Sequence, residues 1–196
     1  MNEDVKIPKK VMTEPELIKK VETLLENNKV DDAINLVNRL LEGGATSAAV
    51  YHLKGLTYSF SKEYDAAKEW ILKAVEKRGN YWLYMKNLSV INRHMGLMDE
   101  SYDNLVKALE TKKNDYEIFR FLSEAKKFKE RPAEMDEMEK IIATQVLKPK
   151  DKANLYFAIG KIYDDLKEYD KAFENYDKGN KATGHTFDNS SIEENT

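Results

Sequence analysis

The chain has 196 residues, 41% of them hydrophobic and 34% charged, which is enough apolar material for a sizeable core beneath a large solvated surface. Its 32 basic and 35 acidic residues leave a formal net charge of −3, so no basic excess draws it to nucleic acid or to an acidic membrane. Cysteine is absent, which excludes disulfides, thiolate zinc sites and cysteine nucleophiles.

The first twelve residues are polar, carry no apolar run suited to a secretory leader, and are expected to be a flexible segment in a cytoplasmic protein. Thr13, Pro15 and Glu16 form a capping box with proline in the first turn, which opens a helix. Gly43 and Gly44 end a second helix, and Thr46 or Ser47 can cap a third. From there a pattern recurs. Tyr51, Gly55 and Tyr58 are followed by Tyr64 and Ala67, and the same spacing returns in Tyr156, Gly160, Tyr163, Tyr169 and Ala172.

A frame of 34 residues places unit starts near 14, 48, 82 and 116 without a gap, and a fifth near 153 after a three-residue insertion. One column of large residues reads Leu17, Tyr51, Met85, Phe119, Tyr156. A column for close helix approach reads Val21, Gly55, Ser89, Ser123, Gly160, and its counterpart on the second helix reads Ala33, Ala67, Ser101, Met135, Ala172. Each predicted helix has one apolar stripe, too little surface to be stable alone, and stacking buries the stripes in a continuous core. Unit four departs most. Lys126 stands where other units have Leu24, Tyr58 or Tyr163, and a second helix from Pro132 to about Val146 carries its apolar face on Met135, Met138, Ile141 and Ile142. That helix is expected to pack at an altered angle, and Asn92 disturbs the same column in unit three. Asp151 suits the N-cap of the fifth unit's first helix.

These columns resemble the tetratricopeptide repeat. The resemblance implies an all-α, right-handed superhelix over residues 13–184 that presents a groove for a protein or peptide, with no catalytic residues, cofactor or metal of its own. Residues 135–180, ending in Gly179 and Asn180 after an aromatic-rich helix, further resemble the repeats that precede the catalytic domain of bacterial TPR-sulfotransferases. The loop by which such enzymes cradle a phosphosulfate donor has no counterpart in this chain. The chain is then either one domain of a longer enzyme or a free-standing relative, and residues 185–196 are a flexible tail or a linker.

If first helices line the groove, units three and four present Lys86, Asn87, Val90, Arg93, His94, Arg120, Phe121, Glu124 and Lys127. Unit five adds Phe157, Lys161, Asp164 and Asp165, and unit two adds His52, Leu53, Leu56 and Phe60. Cations interleaved with an aromatic and an amide suit a peptide with acidic and apolar groups, although any charged helix face also needs no ligand to explain it. The carboxylate clamp of chaperone adaptors does not fit: its places hold Ile18, Glu22, Leu53, Leu83 and Asn87, or, started one unit later, His52, Leu56, Asn87, Glu117 and Phe121, and only Asn87 suits either frame. The three histidines, His52, His94 and His185, stand apart without a second ligand at helical spacing, so metal binding is not expected. Basic residues do not interleave with stacking aromatics as a nucleic-acid surface requires. Three roles remain: an interaction module, an acceptor-binding part of a transferase acting in cis, and a self-assembly module. The aromatics Trp70, Trp82, Tyr81 and Tyr84 are expected in the core or, if partly exposed, in a self-association patch. The oligomeric state is left open.

Overall fold

A computed structural model describes residues 12–184; the flexible segments expected at either end lie outside the described residues except for Met12. Within them are ten helices and no strand: α1 (Glu14–Glu26), α2 (Val30–Glu42), α3 (Ala48–Phe60), α4 (Tyr64–Arg78), α5 (Trp82–His94), α6 (Met98–Thr111), α7 (Tyr116–Ala125), α8 (Ala133–Thr144), α9 (Pro149–Asp165) and α10 (Tyr169–Ala182). They form two compact units, one up to Gly79 and one from Asn80 onward.

Local chemistry sets the helix ends. The Glu16 carboxylate accepts from the Thr13 backbone N–H at 2.8 Å and from its hydroxyl at 3.1 Å, closing the first turn of α1. Ser47, rather than Thr46, caps α3 by accepting from the Val50 N–H. The helix of the fifth repeat starts earlier than expected: Lys148 is its N-cap and Pro149 its first residue, so Asp151 lies in the first turn, where its charge favours the N-terminal dipole.

Between paired helices the chain turns through a left-handed residue, and that residue recurs with the repeat. Asn28, Lys62, Gly96 and Lys167 have φ of 57°, 61°, 78° and 62°. In each case the next N–H reaches back to the residue four before the turn, as Lys29 to Leu24 at 2.8 Å, Glu63 to Tyr58 at 2.9 Å, Leu97 to Asn92 at 2.8 Å and Glu168 to Tyr163 at 2.9 Å. This closes the carbonyls left open at a helix end. In unit four the corresponding acceptor, Lys126, is extended at φ −150°, and α7 stops after ten residues.

Both small columns are buried in every repeat: Val21, Gly55, Ser89, Ser123 and Gly160 on the first helices, and Ala33, Ala67, Ser101, Met135 and Ala172 on the second. A β-carbon on Gly55 would lie 2.4 Å from Ile71 Cγ1 and 3.0 Å from the Ala67 carbonyl, so α3 and α4 approach too closely for any side chain there. At the same crossing of α5 and α6, the Ser101 hydroxyl donates to the Ser89 carbonyl at 2.9 Å. Met135 occupies the alanine column of unit four, and there the pairing changes: α7 and α8 both pack against α9, and α8 ends at Thr144, short of the expected Val146. Met135, Met138 and Ile141 are buried on the face the sequence assigns them, with Ile142 half-buried.

In the first unit the core joins Val21, Leu25, Ala33, Val37, Val50 and Leu53. His52 is also fully buried, and burial holds its imidazole neutral, with a pKa of about 3 against an ordinary 6.5. The unfolded chain binds a proton below pH 6.5 that the folded unit excludes until about pH 3. Stability from this group is therefore complete above pH 6.5 and falls by about 1.4 kcal/mol per pH unit as acidity increases through that window. Urea denaturation between pH 7.5 and 4.5 should show this loss, and His52→Leu should flatten it; an unchanged slope in the variant would place the effect elsewhere.

Candidate functional site

The residues assigned to a groove do not form one uniform surface. His52 and Leu53 belong to the core of the first unit and are removed from the candidate set, because α3 turns them toward its neighbours, while Leu56 is half-buried and Phe60 exposed. Lys127 is exposed but lies in the segment after α7, which ends at Ala125, so it does not continue the helix face. Phe157 has another task. Its ring lies against the backbone of α10, where a β-carbon on Gly179 would come within 2.7 Å of it. A glycine stands at 179 because the aromatic needs the space, and the ring is half-buried against that helix.

What the structure brings together is the face shared by α5 and α7. Lys86 Nζ meets Glu117 Oε2 at 2.9 Å, and Arg93 Nη1 meets Glu124 Oε2 at 3.1 Å. Each pair joins residues 31 apart, one repeat less one helical turn, and the two pairs are seven residues apart on both helices. They form two rungs on one stripe. The second rung branches, because Arg120 Nε donates to the other oxygen of Glu124 at 3.2 Å. Asp115 lies 3.9 Å from Lys86 and adds a second carboxylate there. The Lys86 hydrogen bond holds the Glu117 carboxyl below its ordinary value.

Apolar and amide groups lie between the rungs. Val90 and Phe121 pack with Ser89, Arg93, Ser101 and Leu105 around a gap too tight to admit a water molecule, and the Lys86 ammonium lies 5.8 Å from the Phe121 ring centre. Asn87 is half-buried and His94 is exposed at the end of α5. Farther along, Lys161 meets Asp165 at 2.7 Å within α9, and Asp165, 7% exposed, also accepts from the Phe128 N–H at 3.2 Å. Lys161 is thus part of the lock between α9 and the segment after α7.

This geometry corrects the expected cationic cluster. Lys86, Arg93, Arg120 and Lys161 are matched by Glu117, Glu124 and Asp165, with Asp115 beside them, so the face is charge-balanced. The expected set held Glu124 and Asp165 but not Glu117 or Asp115, because a projection of each helix by itself does not pair residues across helices. The 31-residue spacing of Lys86 to Glu117 and of Arg93 to Glu124 was the signal that could have found them. Among the described residues no group of three or more potential metal ligands gathers, and no helix is long and apolar enough to cross a membrane.

The sequence profile described as tetratricopeptide repeat matches residues 48–78 and 153–183. No curated protein matches the sequence. Solved structures do. A crystal structure of MamA aligns with a TM-score of 0.63 at 18% identity, covering 84% of this chain and 94% of that one. PilF of Pseudomonas aeruginosa aligns at 0.66 and 17% identity over 86% of this chain and 76% of that one. YrrB, described as a TPR protein with an unusual peptide-binding site, aligns at 0.60 and 20% identity over 88% and 87%. At such identities the likeness is one of fold, and the fold is all-α and of tetratricopeptide-repeat type.

Exposed ion pairs contribute little to stability, and the side chains of the Glu124 rung are a third to a half exposed. Glu124→Gln is expected to cost less than about 1 kcal/mol in urea denaturation at low salt, and the difference should vanish in about 1 M salt. A loss several times larger would make the rungs structural members of the fold.

Proposed function

We propose that the chain is a protein-interaction scaffold whose ligand, a peptide, lies across the face shared by α5 and α7. The observation that carries this reading is the arrangement of Val90 and Phe121 between two interhelical ion-pair rungs, with the Asn87 amide beside them. Repeat folds stack short helical hairpins into extended surfaces suited to peptides. The fold likeness to a protein described as having a peptide-binding site supports the same reading. The charge balance refines the expected partner. An acidic peptide would have to displace Glu117 and Glu124 from their cations, whereas a peptide of mixed charge with an apolar anchor can rest on Val90 and Phe121 and extend the rungs at their edges. Panning a random peptide display library against the protein should select sequences with one or two large apolar residues among both signs of charge. Phe121→Ala should weaken the selected peptides at least about tenfold. Equal affinity for the variant would sink the site.

A second reading concerns the context in which the scaffold works. Gly179 and Asn180 are part of the resemblance to repeats that precede sulfotransferase domains, and the packing of Phe157 on Gly179 supplies a physical reason for that glycine. On this reading the scaffold serves a sulfotransferase-type catalytic domain, either as a docking surface for partners or by holding the acceptor in cis. The gene beyond codon 196 is expected to encode a glycine-rich phosphosulfate loop between a strand and a helix. A stop codon or an unrelated domain there would remove this reading and leave a free-standing adaptor.

A further inference from the structure

The strongest unexplained surface is on α10. Tyr169 is 62% exposed and Phe173 is 73% exposed, one turn apart on the same stripe of the helix. Single exposed apolar residues are ordinary, but two large aromatics at adjacent turns are not what a terminal solvated face requires.

The repeat identifies what this stripe is for. Phe173 follows Ala172, which lies in the alanine column, so its counterpart in α6 is Tyr102, the residue after Ser101. Tyr102 is covered by the residues that follow α7: Lys126 Nζ lies 3.5 Å from its ring centre, and the Phe128 ring is edge-on at 6.1 Å. One repeat later Tyr163, at the corresponding place in α9, accepts from Arg131 in the segment just before α8 at 3.3 Å. Lys126 and Tyr163 occupy one column, the last inward position of a first helix. In unit four that column covers the start of the preceding second helix, and in unit five it meets the segment leading into it. Among the described residues α10 has no following first helix, and α1 is the first helix with no preceding second helix. The column residue of α1 is Leu24, half-buried at the end of the helix, with exposed Lys20 one turn before it. On α10, Asp170 and Glu174 are exposed beside the two aromatics, Glu174 already paired with Lys178 one turn on. An apolar residue thus corresponds to the two aromatics, and Lys20 is opposite in sign to Asp170.

We propose that Tyr169 and Phe173 on α10 receive the end of α1 from a second copy of this chain, with Leu24 over the aromatics and Lys20 beside Asp170. The contact continues the repeat packing from one molecule to the next. It is heterologous, because the head of one copy meets the tail of another, so each copy retains a free end unless a ring closes.

This contact is separate from the α5–α7 face, and its test does not depend on a peptide ligand. Sedimentation velocity of the full chain from about 5 to about 500 µM should show a weight-average mass that rises with concentration. Phe173→Glu should remove the rise, weakening association at least about 30-fold. Lys20→Glu, an exposed change that leaves the core untouched, should weaken it at least about fivefold, and Leu24→Lys should remove it. Circular dichroism should show unchanged helicity in all three. The deciding experiment mixes Phe173→Glu with Leu24→Lys. Each is monomeric alone, while the equimolar mixture should form a complex of twice the chain mass, since an intact tail meets an intact head. If Leu24→Lys loses helicity, a double variant, Lys20→Glu with Thr23→Glu, takes its place in the mixture. A wild-type chain that stays monomeric at the highest concentration overturns the proposal. So does a mixture of folded variants that gives no complex, which would point to a symmetric contact between two α10 helices.

Discussion

Close approach between paired helices is the constraint on which the rest depends. Where a small residue faces a small residue, as at Gly55 against α4, the helices touch along their backbones and one turn connects them. Once that distance is set, the large residues of the neighbouring column fill the remaining space, and the next repeat can repeat the geometry. Where the constraint is relaxed the architecture follows. Met135 in the alanine column separates α7 from α8, the left-handed turn is lost, and α7 packs against α9 instead. The replacement connection is held by other means: the Asp165 carboxylate takes the Phe128 N–H, and Arg131 gathers Asp136, Glu139 and Tyr163.

Polar chemistry is placed according to the same geometry. Serine replaces glycine at the crossing of α5 and α6 without opening it, because Ser89 donates back to the Lys86 carbonyl and Ser101 donates across to the Ser89 carbonyl; Ser123 likewise donates back to Arg120, although α7 and α8 part. His52 is tolerated in the core of the first unit as a neutral ring. On the face shared by α5 and α7, Lys86, Arg93 and Arg120 remain partly exposed and find carboxylate partners at low cost in desolvation, while the buried Lys54 ammonium donates to the Asn38 amide oxygen.

The fold was largely legible because period and residue size are both written in the chain. The two small columns are buried in all five repeats, and the disturbance at Lys126 and Met135 pointed to the repeat that is irregular. Less legible were features set between helices rather than along one. The left-handed turn recurs at Asn28, Lys62, Gly96 and Lys167; asparagine and glycine announce it, but lysine does not. The candidate surface was the least readable part. Projecting α5 alone shows Lys86 and Arg93 as cations, and only their distance to Glu117 and Glu124 on another helix shows them neutralised. Phe157 likewise read as a groove residue until Gly179 was seen to make room for its ring.

The two rungs between α5 and α7 have a mechanical consequence. Because they are seven residues apart on both helices, both can form together at one stagger of those helices. Sliding by one turn, about 5.4 Å, would part both pairs at once and bring no substitute carboxylate opposite Arg93. Each pair is weak, so the rungs specify the stagger of the two helices more than they add strength. A segment bound across the face would meet a floor already fixed in stagger, and its entropy loss would fall mainly on the segment itself.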